Sequence, residues 1–564
     1  MHRRRGVLNL FALFLLPPLL SAPPLMAQAE GYHSPREHAA ALEKLRRDHP
    51  RLIQILAIAE TPGGNPLQAV RLGTGPNVDT RPALLIIAGA HGPHLVGSEI
   101  ALASLTGLAG AYGSDTAVTR LLDEKTIYFI PRANPDAAEG MFGRPAVERV
   151  RNGDPFDDDR DGSADEDGAE DLNGDGVITL MRVTDPSGEW LADSAEPWLM
   201  RKANAGRGES GGYRIYEEGR DNDGDERWNE DPAGGVDVSR NFPYGYEPFG
   251  PGAGLHTIST PEARAIAQFY ADHPNVAAVY VLGAQDNLVK AWEFKKEGGP
   301  TDGPPRPLTS ILEPDDPYFS EVARRFQKTT GWEKGPPSAD LKGDPLSFAY
   351  YHMGRWAWGS RGWWIPELPA DTAKNAPKPD PRDPVKDERN ALRWLRQYHP
   401  SAIVEWAEVA HPDFAGRKVE VGGLRPGALL NPPDSMLDSV RVRHARFIQQ
   451  LAGMLPSVSL RGIRVERVGP QVFRITASVA NVGYLPTTSH LGVRVRWPQR
   501  VRLELKTDGQ QISGGRAVQL VDPIPGNGSS REFTWLVVGR SDTRLTLTAT
   551  SPVAGTATQT ITLR

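Results

Sequence analysis

The 564-residue chain carries 64 basic and 70 acidic residues, a net charge of −6, with 39% apolar residues, 24% charged residues and no cysteine. It is too long for one compact core and too apolar for disorder, so two or more domains are expected, and its balance lacks the basic footprint that nucleic-acid partners require. Without cysteine, disulfide scaffolds, thiolate nucleophiles and Cys-ligated metal centres are excluded, leaving His, Asp, Glu and carbonyl oxygen as the only metal donors.

In chain order, Met1-His2-Arg3-Arg4-Arg5 precedes the apolar run Val7 to Leu16 and the small-residue site Ala27-Gln28-Ala29. That pattern predicts a signal peptide over 1–29, with no later run of membrane-spanning length, and hence an exported, periplasmic or extracellular protein. Residues 38–49 have apolar positions at helical spacing and stop at Pro50. Ala83 to Ala88 reads as a strand buried on both faces, 98–108 as helix, 126–131 as strand, 261–270 as amphipathic helix and 276–282 as another buried strand. Strands alternating with helices predict an α/β domain over 30–456, whose ligands bind at the carboxyl ends of the strands. After Pro456 the pattern turns to period two, as in Phe473 to Val479, Val493 to Arg496 and Leu545 to Thr548, predicting an immunoglobulin-like all-β sandwich over 457–564.

Between Asp154 and Asp231 stand 24 acidic and 8 basic residues, an acidic insertion that either stays solvated or takes up cations. It holds three alternating runs: Asp157, Asp159, Asp161; Asp171, Asn173, Asp175; and Asp221, Asp223, Asp225. Alternate oxygen donors on a tight turn suit a hard cation, so calcium is expected here, although the Glu of an EF-hand loop is missing at position twelve.

The most informative segment is Ala88-Gly89-Ala90-His91-Gly92-Pro93-His94, which sets histidines between a buried strand and a helix. By itself it fits two histidines that merely satisfy hydrogen bonds as well as it fits a metal site. Downstream come Pro131-Arg132-Ala133-Asn134-Pro135-Asp136, Asp237-Val238-Ser239-Arg240-Asn241-Phe242, Ser259-Thr260-Pro261-Glu262, Tyr350-Tyr351-His352 and Trp364-Ile365-Pro366-Glu367. In this order and spacing the segments from about Tyr32 to Asp413 resemble the zinc carboxypeptidases of the M14 family. The resemblance implies a mixed eight-stranded sheet flanked by helices, one zinc ion near the strand ends, and removal of residues from peptide or protein C-termini.

The family holds its metal with a His, a Glu three residues later and a second His after a following strand. Here His91 keeps the first place, His94 replaces the Glu, and the second His falls at about Gly283, with Asp286 or Gln285 as candidate substitutes. Glu367 matches the family's catalytic carboxylate, and burial beside Trp363 and Trp364 is expected to raise its pKa. Arg240, with Ser239 beside it, matches the clamp on the substrate carboxylate, and Arg149 or Arg151 would stabilise the oxyanion. Three readings follow: an exported metallocarboxypeptidase with an altered ligand set, an inactive pseudo-peptidase that binds peptide or cell-wall termini, and a calcium-dependent surface adhesion or scaffold protein.

Overall fold

The structure, a computed structural model, describes residues 31–564 apart from 159, 161, 297–306, 340–341 and 370–382. The expected signal segment 1–29 lies outside the described residues, as do Asp159 and Asp161.

The central sheet is built from β1 (Ile53–Glu60), β2 (Pro66–Leu72), β3 (Ala83–Ala88), β4 (Thr126–Ile130) and two later strands, Val276–Leu282 and Trp356–Ser360. The insertion contributes β5 (Leu180–Thr184), β6 (Trp190–Ala192), β7 (Met200–Lys202) and β8 (Tyr213–Glu217), so the two later core strands are β9 and β10. The core order is β1-β2-β4-β3-β9-β10. Strands β4, β3, β9 and β10 run parallel, and the β1–β2 hairpin joins antiparallel at the β4 edge. The sheet is mixed and flanked by helices as the resemblance implies, with six strands among the described residues where eight are expected.

Every residue of β3, β4, β9 and β10 is buried, which is why β3, β9 and most of β4 read as apolar runs without alternation. The helices Leu95–Ala111 and Asp434–Gly453 pack on each other and on the sheet, the second burying Leu437, Val440, His444, Phe447, Ile448 and Leu451. The helix Pro261–Asp272 starts where its chemistry says it should: the Thr260 hydroxyl accepts from the Ala263 amide and Pro261 takes the first turn.

The acidic insertion is folded. Its strands join β11 (Ile403–Val409) and β12 (Val419–Leu424) in a second, antiparallel sheet of order β11-β12-β5-β8-β6-β7. A small core of Met181, Val183, Phe414, Val419 and Val421 holds it. The C-terminal lobe is two four-stranded sheets enclosing Phe473, Ile475, Leu503, Trp535, Leu547 and their neighbours. One local expectation is corrected: Val493 to Arg496, read as strand from its alternation, lies at a short helix, His490–Val495, capped by the Ser489 hydroxyl on the Gly492 amide. That helix sits on the α/β lobe, so tertiary contact overrides the period-two pattern.

Candidate functional site

Strands β3, β4, β9 and β10 deliver their following loops to one end of the sheet, and the loop after β3 turns at Gly89. Its φ of +65° and the 2.7 Å that would separate an added Cβ from Ser98 Oγ leave room for glycine alone. The Ala133 and Asn134 amides then donate to the Ala88 and Gly89 carbonyls at 2.8 and 2.9 Å, locking the β3 and β4 loops together.

Two hollows open at this end. One, of about 1020 Å³, is lined by His91, His94, Trp332, Lys334, Arg361, Trp363, Trp364, Glu367 and Lys386 among others. The second, of about 640 Å³, is lined by Tyr244, Asp286, Trp292, Tyr351 and Arg361. Residues 335–337, Ala339 and Arg361 form their shared wall. This strip is fixed by Ser338 Oγ, which accepts from the Asp286 amide at 2.8 Å, by Arg361 donating to the Pro336 carbonyl, and by Gly335 packed on Trp364.

The two histidines do different things. His91 is partly exposed, with Nδ1 3.6 Å from Asp237 Oδ2. Burial opposes its charged form, but the Asp237 carboxylate outweighs burial and holds its pKa above the ordinary histidine value. His94 is fully buried and its pKa is pushed down to about 4, chiefly by that burial. Its Nε2 faces the Arg361 carbonyl at 2.7 Å, and since a carbonyl only accepts, Nε2 carries the proton. Its Nδ1 is buried without a partner, against the Gly97 position, where an added Cβ would lie 2.9 Å away.

The zinc ligand set implied by the resemblance therefore does not assemble. One nitrogen of His94 is committed to a carbonyl and the other is packed against a helix turn. Gly283 offers no side chain, and the atoms nearest to an added Cβ there are a Val281 methyl and Gln285 Oε1, the other candidate substitute, both 3.8 Å away. Asp286, expected as a substitute ligand, is engaged elsewhere: Oδ1 accepts from the Leu288 and Val289 amides at 2.9 and 2.8 Å, and it lines the other hollow. Among the described residues the one group of three His, Asp or Glu donors close enough to share an ion is Asp221, Asp223 and Asp225 in the insertion. A catalytic zinc needs three protein ligands, and these residues do not fit it.

The other expected site residues are also placed differently. The Glu367 side chain is 74% exposed and pairs with Lys386 at 3.2 Å, so the expected desolvation beside Trp363 and Trp364 is absent; it stands on the rim of the larger hollow. Arg240 faces Glu247 at 3.5 Å and lines neither hollow, while its neighbour Ser239 is buried, donating to Asp237 Oδ1 at 2.6 Å. Arg149 donates to the Asn152 and Arg151 carbonyls at 2.7 and 3.2 Å, and Arg151 pairs with Asp158; both arginines tie down the start of the insertion. Asp171 and Asp221 each accept from backbone amides inside their own loops, and Asn173, Asp175, Asp223 and Asp225 sit on the same turns. Asp157 does likewise with the Gly162 amide.

Two residues at the site escaped the sequence reading. Asp237 orients His91, and Arg361 follows β10 directly. The rule that ligands gather just after parallel strands points at Arg361, whereas nothing in the sequence marks Asp237 as the partner of His91.

Comparison with known proteins finds similarity over two parts of the chain. Residues 38–150 match the family model described as zinc carboxypeptidase, and residues 457–562 match a domain of unknown function. The chain is similar to carboxypeptidase E of Caenorhabditis elegans, 27% identical over 121 residues, covering 21% of this chain and 26% of that protein. It is also similar to a zinc carboxypeptidase of Saccharothrix mutabilis subsp. capreolus, 27% identical over 110 residues, covering 19% of this chain and 25% of that protein. The chain thus spans about a quarter of the length of these curated relatives. Among solved structures, thrombin activatable fibrinolysis inhibitor aligns over 76% of each chain at 11% identity with a TM-score of 0.40.

Proposed function

We propose that this chain, in which residues 38–150 match the zinc carboxypeptidase family model, is a non-hydrolytic relative of that family that binds the C-terminal ends of peptides or cell-wall peptides in the larger hollow. The observation that carries the reading is the dismantled ligand set: His94 spends its proton on the Arg361 carbonyl and Gly283 supplies no third donor. The exposed Glu367 supports it, because a general base needs a shielded position near the reacting atoms. The reading includes export, carried by the basic and apolar N-terminal run.

Purification in zinc followed by metal analysis tests it. The expected result is substoichiometric zinc and no release of free amino acids from a peptide library, alongside measurable peptide binding. Stoichiometric zinc with hydrolysis abolished by His91→Ala overturns the reading in favour of an active carboxypeptidase.

Calcium uptake by the insertion belongs to the same proposal and is supported by Asp221, Asp223 and Asp225, whose carboxylate oxygens lie within 4.8 Å of one another. Millimolar calcium is expected to raise the melting temperature of the wild-type chain through ligand linkage, and to raise it less in Asp223→Asn. An unchanged melting temperature removes calcium from the account.

A further inference from the structure

Arg361 starts from a fixed point. Its amide faces Asp286 Oδ2 at 3.4 Å and its carbonyl holds His94 at 2.7 Å, so its backbone is pinned between the loops that follow β3 and β9. Its side chain lines both hollows. Nη2 donates to the Pro336 carbonyl, the guanidinium lies 5.6 Å over the Trp364 ring, and Nε is buried with no hydrogen-bond partner. Among the described residues no carboxylate pairs with it. Asp286, the acid whose field reaches it, has both oxygens facing backbone amides, including that of Arg361 itself.

A partly buried guanidinium stays charged, and without a counter-ion it carries a desolvation cost that an incoming anion relieves. The walls around it are apolar and aromatic: Trp332, Trp363, Trp364, Pro336 and Pro337. A planar anion attached to an apolar body matches that combination of one cation and several flat surfaces. A peptide's terminal carboxylate with its last side chain is such a group.

We propose that Arg361 is the cation that holds the ligand's terminal carboxylate, the task that the sequence pattern assigns to Arg240. The carboxylate docks on the guanidinium at the wall between the hollows, exchanging with or lying beside the Pro336 carbonyl, and the terminal side chain rests against Trp332 and Trp364. This inference rests on the reading that the larger hollow takes peptide C-termini.

The test measures binding by the full chain of a pool of N-acetylated Gly-Gly-Gly-X peptides, X covering all the common residues, as free acids and as C-terminal amides. The expected result is that acids bind and amides bind roughly tenfold to a hundredfold more weakly, the range of a charge-assisted hydrogen bond. Arg361→Gln brings the acids down to the level of the amides, and Arg361→Lys gives an intermediate affinity, because the charge remains while the fork is lost. If Arg361→Gln fails to fold, Arg361→Lys carries the test through the same acid-to-amide ratio. Acids and amides binding equally well, or acids binding the Gln variant as tightly as wild type, overturns the role of Arg361 while leaving the hollow a peptide site. Failure of every peptide to bind overturns both.

Discussion

His444 shows how one buried imidazole can be both well satisfied and a liability in acid. It is fully buried on the helix Asp434–Gly453, with Nε2 2.9 Å from the Gly362 carbonyl and Nδ1 3.0 Å from the Tyr280 hydroxyl. The carbonyl requires the proton on Nε2, so Nδ1 accepts from Tyr280, and the neutral ring satisfies both partners. Burial pushes its pKa down to about 4. The unfolded chain, with a histidine near pH 6.5, therefore binds more protons between about pH 6.5 and 4, and stability falls as pH drops through that window. His94, also pushed down to about 4, acts in the same direction, whereas Glu262, raised from 4.5 to about 7 by burial, destabilises the fold as pH rises from about 4.5 to about 7. Comparing variants isolates the one group: His444→Gln is expected to show a shallower loss of melting temperature from pH 6.5 to 4 than wild type, and an identical slope would refute this account.

At the scale of elements, the junction between lobes depends on Asp315, just before the helix Asp316–Thr330. Its buried carboxylate accepts from the His490 and Leu491 amides at 2.8 and 3.3 Å and from the Tyr350 hydroxyl at 2.9 Å, with His490 Nδ1 at 3.1 Å. Removing the acceptor strands buried donors from both lobes. Asp315→Ala is expected to cost about 2–4 kcal/mol in chemical denaturation, and Asp315→Asn less, because one oxygen remains to accept. A change below about 0.5 kcal/mol for the Ala variant, the range of ordinary surface substitutions, would show that the junction does not depend on it. Three of the six central strands were legible, because burial on both faces leaves uninterrupted apolar runs such as Ala83 to Ala88 and Val276 to Leu282. The insertion's strands were not. Leu180–Thr184 and Tyr213–Glu217 are short and half-buried, set among aspartates; they pair with each other, and the first takes its other neighbour, β12, from more than 200 residues further on. At His490–Val495 the alternation reflects a docking face and no ladder, so the period-two pattern there points to a strand that does not form. At the site, the motif positions located the larger hollow, with His91, His94 and Glu367 all on its walls or rim. Spacing alone could not show that Arg240 turns to Glu247 or that Glu367 faces solvent, since both depend on where a distant side chain points.

For the whole molecule, no single helix among the described residues is long and apolar enough to cross a membrane. What holds the lobes together is instead a shared interior: Leu485, Leu491 and Val553 of the C-terminal lobe pack within the same apolar cluster as the central sheet. Lys125 Nζ reaches the Pro456 carbonyl at 3.1 Å, and Trp356 Nε1 the Pro486 carbonyl at 3.3 Å. A module that lends its leucines to its neighbour is not a bead on a string. It cannot be traded between genes, or trimmed off by a protease, without leaving an apolar wound on the partner. A destabilising substitution on either side of this interior is therefore felt by both lobes.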